Sequence, residues 1–519
     1  MKKISAFALM SSALLLGACS NETPDIENNE LEGGLGYIRI DFEDLATRAG
    51  SDANATADES EIQSADFIFY DASGAAIHTS HITGTPSSNG RWLTNEEGNT
   101  HGGNKCAIVK LPKMASSVGC VLNSATPVTT NPDYMSNYAQ DMVNNKLFYM
   151  SSSRYYDAAG HRVFASPIDA ATQLFRDEAD AVKATGDNAV KVYVERYVAR
   201  VDVKYDLGNT INAGVINPES EGDFINGSIE FVPEFSYLTA ECQKSTRVKR
   251  LPSPVWDWMK NWTYNDFTNH RSYIVDYTTV PDGSNMKYTT LNKMKEAGAN
   301  FSNPKPMYVN ENCEKDTVRM TSLVVAGKYT VKKADGTVVA ADGTGSDAAG
   351  TFYLVAFDKN FDAYATEAEA IQAMGGNPAT DKLVPEGVGE GANSVITLPG
   401  YTDQVKWEGW NGWMKLVDKT TGKDKEIVTR CVKYSGGYGY YAKKIKRATI
   451  GTTTYNAIVR NHVYELTVKG IAGMGVGIPD PDQPIIPIDG PDPASENYYL
   501  HMNVNINPWT LVKNDVIWK

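Results

Sequence analysis

Long hydrophobic runs are scarce in this 519-residue chain. Past Leu16 none reaches the roughly 20 apolar residues that a membrane-spanning helix needs. Cysteine is scarce too. Of 6, Cys19 stands near the start, leaving Cys106, Cys120, Cys242, Cys313 and Cys431 at no metal-ligand spacing. Five cannot all pair, and a disulfide framework is not expected in so long a chain, so they read as small buried hydrophobes. Positive charge is in deficit: 49 Lys and Arg against 63 Asp and Glu give a net charge of -14. That argues against nucleic acid as a partner, because a phosphate-binding face needs a basic surplus. A Gly-x-Ser-x-Gly elbow and a zinc signature are both missing, and no catalytic residue, metal or cofactor is expected.

What remains is strand chemistry. Hydrophobic residues make up 42% of the chain, enough for real cores, and 28 Tyr and 43 Gly favour short strands and turns. From residue 49 to 207, strands are expected at Ala65 to Tyr70, Lys105 to Leu111, Gly119 to Asn123 and, as one long run, Val190 to Tyr205. Ile168 to Ala184 is the one convincing helix there. From 208 to 469 the better strands are Ile229 to Val232, Met307 to Asn310, Thr321 to Val331, Thr351 to Ala356, Gly437 to Ala442 and Arg460 to Val468. A short helix is expected at Thr366 to Ala373. The fold class is all-β with minor helices, and two β-sandwiches in tandem is the economical architecture.

The two ends are the most informative parts. Met1-Lys2-Lys3 and the apolar run Ile4 to Leu16 read as a signal peptide, residues 1–18. It closes on Leu16-Gly17-Ala18-Cys19, which looks like a bacterial lipobox whose Cys19 thiol is acylated. That gives a membrane anchor, not a span. Residues 19–48 then form a propeptide. Within it Ile38, Ile40 and Phe42 share one strand face, while Tyr37, Arg39 and Asp41 share the other. Arg48-Ala49, in a small polar segment, suits an arginine-specific protease. At the other end, Leu500, Met502, Val504 and Ile506 alternate with His501, Asn503, Asn505 and Asn507. Pro508 makes a central ladder position beyond Asn507 unexpected. The Pro/Gly-rich stretch before this strand, from Gly470 to Asn497, reads as an extended leash that packs poorly. Two outcomes stay open on these residues: the tail folds back onto its own sheet, or it is donated to another molecule.

Other candidates for chemistry are thin. His78 and His81 have no third ligand near. Gly473, Gly475 and Gly477 lead into Pro479 and Pro481 instead of a helix, which disfavours a dinucleotide loop. Asp358, Asn360, Asp362 and Glu369 match a calcium loop in spacing, yet Ala363 replaces its required Gly. Trp407, Trp410 and Trp413 with Tyr401 could stack on a sugar, although packing is the commoner fate of Trp.

The chain nonetheless resembles the Bacteroidales fimbrillins, and within them the major shaft subunit of short fimbriae (type V pili). The resemblance rests on Leu16-Gly-Ala-Cys19, Thr47-Arg-Ala-Gly50, Met142-Val-Asn-Asn145 with Phe148-Tyr-Met-Ser151, and Val194-Glu-Arg196 with Ala199-Arg200-Val201. Tyr308-Val309 with Glu311-Asn312, Val459-Arg460-Asn461 with Tyr464, and Tyr499-Leu500-His501-Met502 with Pro508-Trp509 complete it. It implies two transthyretin-like sandwiches and export to the outer membrane as a lipoprotein acylated at Cys19. It further implies cleavage after Arg48, loss of the N-terminal strand, and polymerisation by strand exchange with copies of itself beside tip and anchor subunits. The stretches between Lys260 and Asn300 and between Ala334 and Gly350 depart from the family by being longer. A monomeric glycan-binding lipoprotein, or a tip or anchor subunit, is the alternative function.

Overall fold

The computed structural model describes residues 35–43, 61–97, 106–124, 147–152, 165–206, 227–242, 289–310, 321–357, 360–387, 410–425, 429–445, 461–472, 475–485 and 499–510, with shorter pieces between them. Strands dominate. The first strands are β1 (Gly36–Glu43), β3 (Ala65–Tyr70), β4 (Ala76–Ile82), β5 (Gly90–Trp92), β6 (Cys106–Leu111), β7 (Ser117–Leu122), β8 (Met150–Ser152) and β9 (Val190–Arg196), with β3, β6 and β7 buried on both faces. The two-residue β2 (Ala53–Asn54) lies in a different sheet. The first sheet runs β4-β3-β7-β8-β9-β1-β6-β5. Its core gathers Ile38, Ile40 and Phe42 with Phe67, Val109 and Val192.

The helix read at Ile168 to Ala184 is broken in two, α1 (Ala170–Gln173) and α2 (Glu178–Lys183). The reason is a distant partner: Phe175 exchanges backbone hydrogen bonds with Tyr37, at 2.7 and 2.8 Å, and this draws the chain out of helical geometry. The single strand read at Val190 to Tyr205 is likewise two. β9 ends at Arg196, and β10 (Val198–Tyr205) starts a separate sheet on the far side of Tyr197.

The other described residues build three larger sheets and several two-stranded ribbons, among them the pairing of Pro484 and Ile485 with Thr289 and Thr290. Their strands are β11 (Gly227–Cys242), β12 (Met307–Asn310), β13 (Ser322–Lys333), β14 (Phe352–Phe357), β15 (Asn360–Tyr364), β16 (Asp381–Gly387) and β17 (Trp410–Asp418). Then come β18 (Arg430–Tyr434), β19 (Tyr438–Lys444), β20 (His462–Ala472), β21 (Val476–Gly477), β22 (Pro484–Ile485) and β23 (Tyr499–Thr510). One sheet runs β2-β23-β20-β10-β12, a second carries β11-β13-β19-β21, and a third carries β15-β14-β18-β17-β16. A shared core joins them, with Val201 and Leu466 from the first, Phe231 and Val325 from the second, and Leu354 and Val432 from the third. β11 is far longer than its expected four residues. It pairs with β13 through a bulge beside Pro233, where Gly327 is required because a Cβ there would lie 2.2 Å from the Val232 carbonyl oxygen.

Two helices cover outer faces. α3 (Leu291–Ala297) is capped by Thr290 and sinks Leu291 and Met294 against Val324 and Tyr440, so part of the long stretch before residue 300 is helical. α4 (Glu367–Ala373) forms where expected, its Thr366 and Glu369 closing a reciprocal capping box. Among the described residues no helix is long and apolar enough to cross a membrane.

Candidate functional site

β1 is held on every side. It runs antiparallel to β6, from Gly36 opposite Leu111 to Asp41 opposite Cys106, and parallel to β9, from Ile40 beside Val190 to Glu43 beside Tyr193. Ile38, Ile40 and Phe42 are at most 3% exposed, and Phe42 stacks on Phe67 at 5.9 Å. Burial of three such side chains contributes roughly 1.5–3 kcal/mol each.

The opposite face of β1 is not the wet one its residues suggest. Arg39 is 3% exposed and Asp41 8%. The Arg39 Nε donates to Asp41 Oδ1 at 2.8 Å, its Nη1 donates to the Val182 carbonyl of α2 at 3.0 Å, and its Nη2 lies 3.8 Å from Cys106 Sγ. α2 roofs this face, with Ala181 packed on Cys106 and Ile108. Burial, aided by the Asp41 carboxylate, pushes the Cys106 thiol up to about 12. The roof is tied down in turn: Arg91 of β5 donates to Glu178 of α2 at 2.7 Å and forks onto Glu97.

The tail lies on its own chain. β23 is antiparallel to β20, from Pro508 opposite His462 to Tyr499 opposite Ala472, with a register shift between Val468 and Gly470. Pairing continues past Pro508, which the sequence did not lead one to expect, because Trp509 and Thr510 add a parallel partner, Ala53 and Asn54 of β2. The leash is also shorter than its composition implies. The Gly475 N–H donates to Tyr329 Oη at 2.9 Å, and Tyr434 Oη donates to the Gly475 carbonyl at 2.8 Å. Val476 and Gly477 pair with β19, Thr289 pairs with Ile485, and Ile478 and Ile485 are buried. The glycines here fit narrow spaces: a Cβ at Gly475 would meet the Tyr440 carbonyl oxygen at 2.4 Å.

A third feature links the two strand systems. Buried Glu59 accepts from Arg200 Nη1 at 3.0 and 3.2 Å and from Tyr308 Oη at 2.5 Å. Arg196, itself buried, donates from Nε to the Glu59 carbonyl at 2.9 Å, and from its backbone N–H and Nη1 to Asn461 Oδ1. Asn461 takes a left-handed turn at φ 57° and donates its N–H to the Val198 carbonyl at 2.8 Å. Around this knot pack Ile68, Tyr70, Phe148, Tyr197, Val198 and Val463. Arg196, Arg200, Tyr308 and Asn461, scattered through the motifs that carried the resemblance, thus meet at one place. Glu59 carries no signal in the sequence, since nothing in its polar surroundings marks it.

Cys19, Arg48 and Ala49 lie outside the described residues. So do the side chains of Leu500, Met502, Val504 and Ile506, whose backbone positions are set by the β23 register. His78 and His81 stand three apart on β4 and so point to opposite faces; His78 stacks on Phe69 and His81 meets Asp66 at 2.6 Å. Asn360 and Asp362 sit on β15 while Glu369 caps α4, so these residues wrap no ion-binding loop. Among the described residues no three His, Cys, Asp or Glu gather as a metal site. Cys106, Cys120 and Cys431 are buried free thiols, as expected. Trp410 and Trp413 belong to β17, and Trp407 and Tyr401 fall outside the described residues.

Residues 432–515 match the C-terminal region of the fimbrillin family, the type IV major fimbrial subunit protein. Over that part of the chain the resemblance read from Val459-Arg460-Asn461 and from Tyr499 to Trp509 is borne out. Similar solved structures include a candidate cell adhesion protein of Parabacteroides distasonis, 12% identical, covering 91% of this chain and 99% of its own, with a TM-score of 0.38. Another from Bacteroides eggerthii is 11% identical, covers 93% and 98%, and scores 0.34. The C-terminally truncated tip fimbrial protein Mfa3 of Porphyromonas gingivalis is 10% identical, covers 91% and 100%, and scores 0.30. No curated protein matches the chain. The all-β architecture stands on the strands themselves.

Proposed function

We propose that this chain is a structural subunit of a cell-surface fimbria, exported as a lipoprotein through Cys19, cut between Arg48 and Ala49, and polymerised head to tail into the shaft. The two sandwiches expected at 49–207 and 208–469 then divide near Tyr197 instead, because β10 shares its sheet and core with the second, and residues 470–519 act as linker and donor strand. The observation that carries this reading is the position of β1. It is an interior strand of its sheet, yet it belongs to the segment upstream of Arg48. Its loss opens an apolar slot between β6 and β9 with two rows of unpaired backbone groups. β23 has the matching alternation, and among the described residues its sheet holds it chiefly on the β20 side, with two residues of β2 beyond it. A second copy's Leu500, Met502, Val504 and Ile506 enter by strand addition, and head-to-tail insertion does not close, so it makes a filament. The role is mechanical and adhesive, without catalysis, with tip and anchor subunits as neighbours.

The test uses purified full-length protein trimmed by an arginine-specific protease. Mass spectrometry should find Ala49 as the new first residue, electron microscopy should show filaments, and Arg48→Ala should prevent both. Trimmed protein that stays as single particles, with β23 still seated on β20, is the result that defeats the proposal and favours a monomeric surface lipoprotein.

A further inference from the structure

The slot has a second wall. The apolar face of β1 explains why a greasy strand could replace it, but Arg39 and Asp41 are buried as well, beneath α2. There the guanidinium supplies a donor to the Val182 carbonyl and covers the Cys106 thiol. A buried cation is tolerated at that position because Asp41, two residues along the same strand, neutralises it at 2.8 Å. Departure of β1 takes away the donor, the cover and the paired charge together. A replacement strand must therefore satisfy this wall as well as fill the core.

By period-two alternation His501, Asn503, Asn505 and Asn507 share the strand face opposite that of Leu500, Met502, Val504 and Ile506. None of the three asparagines carries charge, and each amide offers both donors and an acceptor. An Asn is shorter than Arg39, yet it sets a donor and an acceptor on this wall, directly or through water, without importing a charge that then needs neutralising. Lysine, glutamate or leucine at the same place would bury an unpaired ion or leave the wall unmet. Asn503 and Asn505 lie mid-strand, clear of Pro508, where a central ladder position is available.

We infer that the wall beneath α2 reads the incoming strand, and that Asn503 and Asn505 of a second copy are the residues it reads, their amides taking the places of Arg39 and Asp41. The inference rests on the strand-exchange reading above and adds partner selectivity to it: the slot accepts this tail over other alternating strands of equal greasiness.

The experiment follows filament growth of the full-length chain after trimming, together with maleimide labelling of Cys106. Before trimming, every variant should match the wild type in Cys106 protection and thermal midpoint, which shows that the fold is intact. After trimming, wild-type filaments should protect Cys106 again. Asn503→Leu with Asn505→Leu should slow growth about tenfold or more, the scale of an unmet buried hydrogen bond. Rebuilding the ion pair, as Asn503→Arg with Asn505→Asp or in the reverse order, should restore growth for the one order that matches the strand's direction in the slot. A leucine variant that grows like the wild type, or charge-pair variants that both grow no faster than the leucine one, overturns the inference. If wild-type trimmed protein leaves Cys106 open to maleimide and makes no filaments, the strand-exchange reading itself has failed.

Discussion

β1 and β23 have the same alternation but different settings. β1 has a neighbour along each edge, a core below and a helix above. β23 is paired along β20, and among the described residues its other edge meets two residues of β2. Period-two patterning reports that a strand has an apolar face; it does not report how many other sides are covered. The strand sealed on all sides is the one whose removal requires a cut in the chain. The strand near an edge can leave without breaking a sheet interior.

This contrast can be tested at several strengths. Deleting residues 499–510 should abolish filaments altogether while leaving the sheet around β1 intact, read by electron microscopy and by unchanged Cys106 protection in the untrimmed chain. Phe42→Ala should cost ~3–5 kcal/mol in denaturant unfolding of the uncut protein. The same substitution should have no effect once β1 has been cut away, which separates a placeholder from a permanent core residue. Glu59→Gln should cost about 2 kcal/mol in cut and uncut protein alike, because Glu59 lies downstream of Arg48 and its partners Arg200 and Tyr308 remain.

The smallest effect concerns acid. The hydrogen bond from Arg91, with Thr94 and the Arg91 charge assisting, lowers the Glu97 carboxyl from 4.5 to about 2. A carboxyl depressed on folding stabilises at pH values above its unfolded pKa. That share of stability should therefore fade as pH drops from about 4.5 to about 2. Glu97→Gln should flatten the thermal midpoint in that window. Arg91 also holds α2, so exposure of Cys106 should rise through that window in the wild type and change less in Glu97→Gln.

Much of the strand content was legible because alternation is local. Ile38, Ile40 and Phe42 announce their shared face, and Thr366 with Glu369 announces a helix start. What was illegible depends on remote partners. Arg39 reads as a surface residue until Val182, 143 positions away, roofs it. The run from Val190 to Tyr205 reads as continuous until Asn461, 265 positions from Arg196, fixes the break. Pro and Gly between 475 and 485 suggest looseness, whereas the tyrosines at 329 and 434 use the missing side chain to hold the backbone close.

That fastening sets a length for any assembly built through the tail. Ile485 is sewn to Thr289, and 13 residues, 486–498, separate it from the first residue of β23. Fully drawn out, such a bridge spans at most about 45 Å. Successive copies joined this way must bring the mouth of one within that radius of the other's mooring point, a ceiling on the axial rise that would otherwise be set some fifteen residues earlier, at Gly470.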